Sequence, residues 1–358
     1  MTPVMTPMRS LDEVVLTGDL PPLVLIAFTR PELLTQVLDA VAQQTLFPPK
    51  VIAFVDGARH EDDQRLIDQC VTHLKAFSAS TSIPVHIIAR TQNLGCDQNV
   101  IQGLTDVLST HDSLVYLEDD TLPNPYFYDR MCRLLEVYRH IPCVCSVSGY
   151  ASVSSEWAAK TDTDVIPSSR VFCWGFGTWA DRWNEIDLMH QPAQHNPFGH
   201  FYAIPLTAET KMTLANQFWL EHNQKTDWVI TFTLMALYLQ KVHIVPVRSL
   251  TFNIGFGHPQ SKTYKGQEQP WVNDKYDKTF CPNHLPITVE LPQQAQQSLT
   301  DLEFAQYFSK HQGLWLKPSA FFHFLKHACS INQAMLLIKV FITRLPLIMQ
   351  RWRRGLSI

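Results

Sequence analysis

Three consecutive carboxylates, Glu118, Asp119 and Asp120, directly follow the apolar run 114–117. Neighbouring carboxylates repel one another, and holding them together is costly unless a cation lies among them. Mg2+ and Mn2+ take oxygen ligands and share them with phosphate groups. The triplet therefore predicts a site for Mn2+ or Mg2+ beside a phosphate-bearing ligand. A solvated acidic turn before Pro123 is the alternative interpretation.

Two further charged residues, Arg30 and Asp56, stand at the ends of other apolar runs. Arg30 follows the run 23–28, and Asp56 follows the run 51–55. If these runs are parallel strands, their carboxyl ends share one rim of a sheet with the acidic triplet. Together these groups could hold a base, a ribose and a metal-bound diphosphate. Singly, each is more typical of a turn or a helix start than of a binding site.

The elements that must position these groups are indicated by hydrophobic periodicity. Apolar runs of strand length alternate with segments of helical spacing, and the first of these segments begins at Pro31, which suits a first helical turn. The predicted strands are 23–28, 51–55, 85–89 and 114–117, and the predicted helices that follow them are 31–41, 61–77, 97–109 and 125–139. This alternation predicts an α/β fold with a mostly parallel central sheet and helices on both faces.

Several common chemistries lack their motifs in this sequence. Neither GxGxxG nor GxxxxGK[ST] follows the first predicted strand, so the phosphates of a nucleotide must be neutralised by side chains and a metal. This weighs against a dehydrogenase or a P-loop NTPase. No HExxH motif and no Ser-His-Asp arrangement supports hydrolytic chemistry.

The second half of the sequence is of mixed character. Beyond about residue 145 it contains a Trp- and Phe-rich stretch at 172–183, a predicted helix at 226–240, a predicted strand at 242–247 and a loop-like stretch at 255–290. Aromatic faces stack on sugar rings, and glycine permits close backbone approach, so the stretch 172–183 is a candidate sugar-binding wall. An aromatic mini-core beside the sheet is the alternative.

Composition limits the class of protein. The chain has 358 residues, of which 46% are hydrophobic and 17% charged, and this suits one large α/β unit with additions. The formal net charge of -4 suggests no nucleic-acid partner. Eight cysteines occur without a CxxC pair, and Cys143 and Cys145 are spaced like alternate residues of a strand. We expect buried, reduced thiols and a cytoplasmic protein, with a zinc site as the alternative.

The end of the sequence differs from the rest in charge. Eight of the 29 Lys and Arg residues lie beyond Glu303, and none of the 33 Asp and Glu residues does. Residues 319–354 are apolar and basic at helical spacing, and we expect a break at Pro346. The stretch is too interrupted to span a bilayer. Its combination of apolar and basic residues instead predicts that residues 319–358 make peripheral contact with the inner membrane face. A terminal helix packed on the protein or on a second subunit is the alternative.

The motifs occur in an order that resembles a known family. They are Thr29-Arg30-Pro31, Phe54-Val55-Asp56-Gly57, Asn93-Leu94-Gly95-Cys96, Glu118-Asp119-Asp120, Pro123-Asn124-Pro125-Tyr126-Phe127, Trp174-Gly175-Phe176-Gly177-Thr178-Trp179 with Arg182-Trp183, Asp227-Trp228, and Asn253-Ile254-Gly255-Phe256-Gly257-His258. Over roughly residues 22–260 the series resembles bacterial family-2-like glycosyltransferases, and it is similar to N-acetylglucosaminyltransferase I, a GT-A enzyme. The resemblance implies a GT-A fold, to which the sequence adds a C-terminal helical tail.

The resemblance also implies roles for particular residues. The implied donor-binding set is Arg30, Asp56, Asn93, Glu118, Asp119, Trp174, Gly175 and His258. Within it, Arg30 and Asp56 match positions that recognise uracil, and the first two carboxylates of the triplet match groups that hold ribose and sugar. Asp120, the last residue of a DXD-type motif, matches the metal ligand. Asp227 matches the catalytic base, although an aspartate before a helix is also typical of an N-cap.

Two parts of the resemblance leave alternatives open. Residues 253–258 match a loop that closes over the diphosphate, where His258 could touch the diphosphate or the metal. A lone loop histidine is more often a surface residue. The family often has Trp-Gly-Trp where this sequence has Trp174-Gly175-Phe176, so we expect the pocket to survive and the choice of acceptor to shift.

These expectations divide the sequence into four parts. Residues 1–20 form a loose leader, 21–150 the nucleotide-sugar-binding half of a GT-A domain, 151–300 the acceptor-binding and catalytic half, and 301–358 a helical, basic and apolar tail.

The implied function is glycosyl transfer in glycan biosynthesis. An inverting, metal-dependent hexosyl- or N-acetylhexosaminyltransferase would move a sugar from a UDP-sugar to a hydroxyl of a glycan, lipid-linked or protein acceptor, with Mn2+ or Mg2+ as cofactor. One alternative is a nucleotidyltransferase, which would be expected to carry a Gly-rich loop after the first strand. The other is a catalytically inactive carbohydrate-binding protein of the same fold, and the presence of Asp120 and Asp227 argues against it.

Overall fold

The computed structural model describes residues 3–151, 161–186, 188, 222–223, 228–261, 268, 272–290 and 318–353. The strands are β1 (Val4–Met5), β2 (Leu23–Ala27), β3 (Val51–Val55), β4 (Val85–Ala89), β5 (Ser113–Glu118), β6 (Thr121–Pro123), β7 (Val144–Ser148), β8 (Val165–Ser168), β9 (Phe176–Trp179), β10 (Val242–Pro246), β11 (Thr251–Asn253) and β12 (Thr288–Val289). The helices are a 3-10 turn at Leu11–Glu13, α1 (Pro31–Val41), α2 (Glu61–Ser80), α3 (Cys96–Leu108), α4 (Phe127–Tyr138), α5 (Ala180–Glu185), α6 (Trp228–Tyr238), α7 (Pro318–His327) and α8 (Ile331–Arg353).

Eight of these strands form one sheet in the order β4-β3-β2-β5-β9-β7-β10-β8. Six of them run in one direction, because β2 to β5 pair in parallel, as do β7 and β10. β9 inserts antiparallel between β5 and β7, and β8 pairs antiparallel with β10. The expected mostly parallel central sheet is confirmed. Periodicity did not predict β9, because all four of its residues are buried and show no alternation.

Helices cover both faces of the sheet, as predicted. On one face, alternate strand residues such as Leu25 and Ala53 share a hydrophobic core with residues of α1, α2 and α4. On the other face α3 packs against Phe54, and a Cβ on Gly103 would lie 3.0 Å from that ring. β2 and β3 are buried at every residue because both of their faces are covered.

The predicted strands and helices of the first 140 residues lie within about three residues of the observed elements. This agreement reflects strong local periodicity. The expectation of buried thiols is met only in part, because Cys70, Cys132 and Cys145 are buried, Cys143, Cys173 and Cys281 are partly exposed, and Cys96 and Cys329 are exposed. Cys145 lies in the interior of β7, where burial raises the pKa of its thiol to about 12.

The first residues are tied to the body of the protein, which corrects the expected loose leader. β1 pairs antiparallel with β12, and Ser10 forms a bridge with His284. Leu11 is fully buried and belongs to the main hydrophobic core. The prediction was wrong because a two-residue strand and a single buried turn are too short to show a period.

A two-stranded ribbon of β6 and β11 lies directly after the acidic triplet. Asn253 of β11 pairs antiparallel with Thr121 of β6. Since β6 begins at the residue after Asp120, the loop that leaves β11 begins beside the triplet. The ribbon therefore joins two parts of the chain that are more than 120 residues apart in sequence.

The chain divides into two compact units, residues 1–187 with 235–291 and residues 188–234 with 292–358. The first unit contains the central sheet, the ribbon and all of the candidate site residues that the structure describes. The division expected at residues 150 and 300 concerns binding roles and stays a prediction.

The described part of the second unit includes α7 and α8, which form the expected helical tail. The break lies at residues 328–330 and not at Pro346, which α8 includes. The Gln333 N–H donates to Ser330 Oγ at 3.2 Å, and Gln333 Oε1 accepts from the Cys329 N–H at 2.9 Å. This reciprocal capping sets the start of α8, whereas an interior proline removes one backbone hydrogen bond without having to end a helix. Across the described ranges, no helix has both the length and the apolar character required to cross a membrane.

Candidate active site

The described candidate residues of the first four strands lie at one rim of the sheet. Arg30 follows β2, Asp56 follows β3, Asn93 follows β4, and residues 118–120 lie at the end of β5. Backbone hydrogen bonds hold these strand ends together. The Asp119 N–H donates to the Ile26 carbonyl at 3.0 Å, and the Asp56 N–H donates to the Ala27 carbonyl at 3.1 Å. The shared rim predicted from the strand ends is therefore present.

Arg30 bridges the last two carboxylates of the triplet. Its Nη1 donates to Asp120 Oδ2 at 2.5 Å, and its Nη2 donates to Asp119 Oδ1. The Phe28 N–H donates to the other Asp119 oxygen at 3.2 Å. Both aspartates are buried. We call Arg30, Glu118, Asp119 and Asp120 the acidic centre.

The acidic centre sets three carboxylates against one guanidinium. Burial and the charge of Asp120 raise the pKa of the Glu118 carboxyl to about 8, although the Tyr116 hydroxyl donates a 2.7 Å hydrogen bond to it. Burial also raises the pKa of Asp119, against the opposing effect of Arg30. Burial alone would lower the pKa of Arg30, but the charges of Asp119 and Asp120 raise it. Within this set positive charge is short, and a further cation would relieve the repulsion.

The donor set of the acidic centre fits a hard divalent cation. Carboxylate oxygens are ligands that Mn2+ and Mg2+ prefer. Asp120 Oδ2 is engaged by Arg30, while Oδ1 receives only a long contact of 3.4 Å from the Thr121 hydroxyl among the described residues. The described residues contain no group of three or more His, Cys, Asp or Glu side chains that could hold a metal ion. A cation at Asp120 would therefore need ligands from water and from the phosphates of a bound nucleotide.

The loop after β11 lies against the acidic centre. The Ile254 N–H donates to the Asp120 carbonyl at 2.9 Å, and the Gly255 N–H donates to Asn253 Oδ1 at 2.9 Å. A Cβ on Gly255 would lie 2.8 Å from Asp120 Cγ and would overlap a carboxylate oxygen. Only glycine permits this approach without a shift of the loop or of the Asp120 carboxylate.

His258 connects the same loop to the first turn of α1. Its Nε2 lies 2.6 Å from Glu32 Oε1, and its Nδ1 accepts a 3.1 Å hydrogen bond from the Gln260 N–H. Because Nδ1 accepts, Nε2 carries the proton and donates to Glu32. Burial would raise the pKa of Glu32, but the hydrogen bond from His258 lowers it. His258 thus docks the loop on α1, and its contact with a diphosphate or a metal stays a prediction.

Asp56 is a second buried carboxylate at the rim, with different neighbours. Its Oδ1 accepts from the N–H groups of Gly57 at 2.9 Å and Leu94 at 2.8 Å. Its Oδ2 accepts from the Gly95 N–H at 3.0 Å and from the Asn93 side-chain amide at 2.9 Å. We call Asp56 and these four donors the Asp56 centre.

The Asp56 centre fastens the loop after β4 to the end of β3. The Asn93 amide also donates to the Gly57 carbonyl at 2.8 Å. A Cβ on Gly57 would overlap the backbone of Gln92, so the two loops touch through their main chains. Asp56 therefore anchors this loop, and recognition of a base by Asp56 stays a prediction.

The Trp- and Phe-rich stretch contributes a packed aromatic cluster. The Trp174 ring meets the Tyr150 ring edge-on at 4.7 Å between centroids, and it meets Phe256 at 6.2 Å. Trp174 is only 3% exposed, so its burial agrees with the mini-core alternative. Gly175 has a φ of 85°, and a Cβ there would lie 2.8 Å from the Phe127 ring. Donor binding by Trp174 and Gly175 stays a prediction.

The candidate catalytic base, Asp227, lies outside the described residues. The helix expected at 226–240 is described from Trp228 to Tyr238 as α6. The proposed alternative for Asp227, an N-cap of this helix, concerns the same undescribed position. Both roles therefore stay predictions.

Sequence reasoning missed Arg59, which the structure brings to the same rim. Its guanidinium lies 4.9 Å from the centre of the Phe28 ring and forms two hydrogen bonds with Asp63, of 2.7 and 2.9 Å. It also donates to Gln260 Oε1 at 3.3 Å, beyond the loop that packs on Asp120. The available signal was its position three residues after Asp56, in the turn between a predicted strand and a predicted helix.

Comparison with known proteins identifies the class. The family model described as glycosyl transferase family 2 matches residues 23–204, about half of the chain. The chain belongs to this family, and its fold is the GT-A fold that the resemblance implied. Glycosyl transfer is thus its class of activity. Similarity to N-acetylglucosaminyltransferase I stays a resemblance, and no curated protein sequence matches significantly.

Two solved structures are similar at low identity. One is the mannosyltransferase PcManGT from Pyrobaculum calidifontis in complex with GDP-Man and Mn2+, with 11% identity, a TM-score of 0.40, and coverage of 97% of this chain and 79% of that chain. The other is glucosyl-3-phosphoglycerate synthase from Mycobacterium tuberculosis in complex with Mn2+, UDP and glucosyl-3-phosphoglycerate. It shares 11% identity, with a TM-score of 0.31, over 46% of this chain and 58% of that chain.

Proposed function

We propose that this chain is an inverting glycosyltransferase that moves a hexose or N-acetylhexosamine from a UDP-sugar to an acceptor hydroxyl, with Mn2+ or Mg2+ held at Asp120. The observation that carries the proposal is the acidic centre. Two of its three carboxylates pair with one arginine at the carboxyl end of β5, at the rim where α/β sheets bind their ligands. A cation with a diphosphate would supply the missing positive charge and its counter-ligand together.

In this proposal the rim residues bind different parts of the donor. Asp120 would hold the cation, which withdraws charge from the diphosphate leaving group when bound. Glu118 and Asp119 would face ribose and sugar hydroxyls. Arg30 would be shared between the aspartates and the nucleotide. The preference for uracil rests on the family resemblance of Arg30 and Asp56.

The loop after β11 would cover the diphosphate. Its support is the contact between Gly255 and Asp120, and the docking of His258 on Glu32. A loop that already packs on the proposed cation ligand needs little rearrangement to exclude water from that side of the donor. The aromatic cluster around Trp174 would support the loop from behind, because Phe256 belongs to both.

The chemistry requires one proton transfer and one displacement. The oxygen of the acceptor hydroxyl attacks the anomeric carbon, and the bond from that carbon to the UDP oxygen breaks, with the electron pair leaving on UDP. The hydroxyl proton passes to a carboxylate on the side of the sugar opposite UDP. We assign this role to Asp227 on the strength of the family resemblance. One displacement at the anomeric carbon inverts its configuration.

The Asp227 assignment is tested by Asp227→Asn. If Asp227 is the base, this variant should keep UDP binding and fold but lose on the order of 10² to 10⁴ in turnover. If Asp227 only caps α6, asparagine replaces it well, because both residues are favoured N-caps. Turnover within about threefold of the parent would then result, and the assignment would be wrong.

The donor is tested by a panel of nucleotide-sugars. UDP-hexoses and UDP-N-acetylhexosamines should raise the thermal midpoint of the protein in the presence of Mn2+ or Mg2+, since a ligand bound to the native state stabilises it. GDP-mannose serves as the matched control donor. Stabilisation by GDP-mannose alone would contradict the proposed base, and equal stabilisation in excess EDTA would contradict the role of the cation.

The acceptor is tested with the stabilising donor in hand. Glycans, lipid-linked saccharides and glycoproteins would be offered, and release of UDP would be measured together with the anomeric configuration of the product. A product of inverted configuration is expected. Donor binding without either transfer or hydrolysis, on every acceptor class, would contradict the enzymatic role in favour of an inactive carbohydrate-binding protein.

A further inference from the structure

An exposed apolar seam runs along α8. Its members recur at alternating steps of four and three residues, and they are Ile331, Met335, Ile338, Ile342, Leu345, Met349 and Trp352. Six of the seven expose between 39% and 82% of their surface, and Ile338 is partly exposed. Residues at this spacing share one face of an α-helix. We call these seven residues the α8 seam.

Another face of α8 is already in use. Leu337 and Ile348 are buried. The Phe341 ring stacks on the Phe321 ring of α7, with centroids 4.1 Å apart and planes at 18°. The helix therefore has partners within its own unit on that face, and the seam on the neighbouring face stays exposed.

The charged side chains described near the seam are all basic. Lys339 and Arg353 on α8 are exposed, and so is Lys326 on α7, one turn after the exposed Phe322. Residues 304–358 contain no Asp or Glu at all. An anionic surface is the electrostatic complement of such a segment.

A coiled coil between two copies fits this charge pattern poorly. In coiled coils the positions beside the apolar seam carry charges of both signs, which pair across the interface. Lys339 and Arg353 lie beside the α8 seam, and the same helix of a second copy would offer them no acidic partner. Apolar, aromatic and basic residues together on one side of a helix are the combination that binds at the surface of a bilayer.

We propose that the α8 seam docks on the surface of an anionic lipid bilayer. The helix lies in the plane of the headgroups, with the seam toward the acyl chains and Trp352 at the level of the headgroups. Lys326, Lys339 and Arg353 contact the anionic headgroups. The proposal uses no residue of the acidic centre or of the Asp56 centre, so it stands or falls separately from the transfer reaction.

The proposal is tested by flotation of the full-length protein with lipid vesicles. The protein should float with phosphatidylcholine vesicles that contain about one third phosphatidylglycerol, less so at high salt, and hardly at all with pure phosphatidylcholine. Lys339→Gln with Arg353→Gln should weaken binding about 25-fold, or about fivefold for each charge near the surface. Arg65→Gln with Lys75→Gln removes the same charge from exposed positions of α2 and should change binding less than about twofold.

The apolar part of the seam has its own pair of variants. Ile342→Asn with Met349→Asn should abolish flotation, whereas Ile287→Asn, at an equally exposed position outside the seam, should leave it intact. Circular dichroism and the thermal midpoint check that each variant is folded. Absence of wild-type binding to anionic vesicles, or equal binding by seam and control variants, would overturn the proposal. The proposal would also be overturned if the protein bound no vesicles and instead formed a dimer that Ile342→Asn dissociates, because the seam would then join two copies.

Discussion

Two buried carboxylate sites lie at neighbouring strand ends of this protein, and their charges are balanced in different ways. In the Asp56 centre, one carboxylate accepts four hydrogen bonds from uncharged N–H groups. In the acidic centre, one guanidinium pairs with two of three neighbouring carboxylates, and burial together with the charge of Asp120 raises the pKa of the third, Glu118. The first site satisfies its charge from within the fold. The second keeps an electrostatic demand that a bound cation and its diphosphate can meet.

A glycine also lies at a point of close approach in or beside each site. Gly57 packs against the main chain of Gln92, which belongs to the loop after β4, so separating the two residues would require that loop to shift. Gly255 packs against the side chain of Asp120, the proposed cation ligand. The comparison teaches that burial and charge alone do not mark a binding carboxylate. The acidic centre differs in having an unmet charge, with the loop after β11 packed against it.

The most direct test of this difference between the two sites is a substitution of Asp120. Asp120→Asn should lower turnover by a factor on the order of 10³, because it removes the proposed ligand for the developing charge on UDP. Its free energy of unfolding should stay equal or rise, since one of three repelling charges is gone. Activity assays and urea unfolding measure the two effects. Asp112→Asn, at an exposed position before β5, is the matched control. Full activity of Asp120→Asn would remove the cation ligand from this position.

Asp56→Ala tests the Asp56 centre, where we expect an effect on stability. The variant leaves four N–H groups without their acceptor, so the free energy of unfolding should fall by about 3 kcal/mol. Urea unfolding measures this loss, and Asp56→Asn, which keeps one acceptor oxygen, should lose less. If Asp56 also reads uracil, the dissociation constant of UDP should rise about tenfold while that of GDP is unchanged. An unchanged stability would show that Asp56 does not anchor the loop.

The same substitution, glycine to alanine, at Gly255 and at Gly57 tests the difference between the two sites. Gly255→Ala should lower turnover about 10²-fold with little change in stability, because its Cβ displaces either the loop or the Asp120 carboxylate. Gly57→Ala should instead cost about 2 kcal/mol of stability, because its Cβ meets a fixed main chain. Turnover per folded molecule and thermal unfolding are measured side by side. Equal losses of stability in both variants would erase the difference between the two sites.

The smallest expected effect concerns the docking of the loop on α1. Glu32→Gln weakens the contact with His258, and exposed pairs of this kind contribute about 0.2–1 kcal/mol. The KM for the donor should therefore rise by at most about fivefold, with little change in kcat. Glu61→Gln makes the same change in the first turn of α2 and should have no effect. A large fall in kcat would mean that His258 acts on the donor directly.

The agreement between sequence and structure is best where elements are local. Each strand from β2 to β5 has five or six residues and is mostly apolar, and each following helix shows its apolar spacing within a dozen residues. Parallel strands also place their carboxyl ends at one rim, so Arg30, Asp56 and the triplet could be predicted to share it. The expected leader was wrong, and β9 was not predicted, because both depend on short segments whose partners lie far away in sequence. The expected break at Pro346 was wrong because capping at residues 329–333 sets the start of α8.

By itself the sequence determined the α/β alternation, the rim at which polar groups gather, the absence of a Gly-rich phosphate loop, and the basic, acid-free end of the chain. Those properties depend on residue type and on spacing within one element. Only the tertiary structure decided that Arg30 pairs with Asp119 and Asp120 across about 90 residues. It also decided that backbone N–H groups after β4 donate hydrogen bonds to the Asp56 carboxylate. The ribbon of β6 and β11 likewise decided that Gly255 meets Asp120. Hydrogen-bond partners of a buried charge are chosen by packing between distant segments, and no local period records that choice.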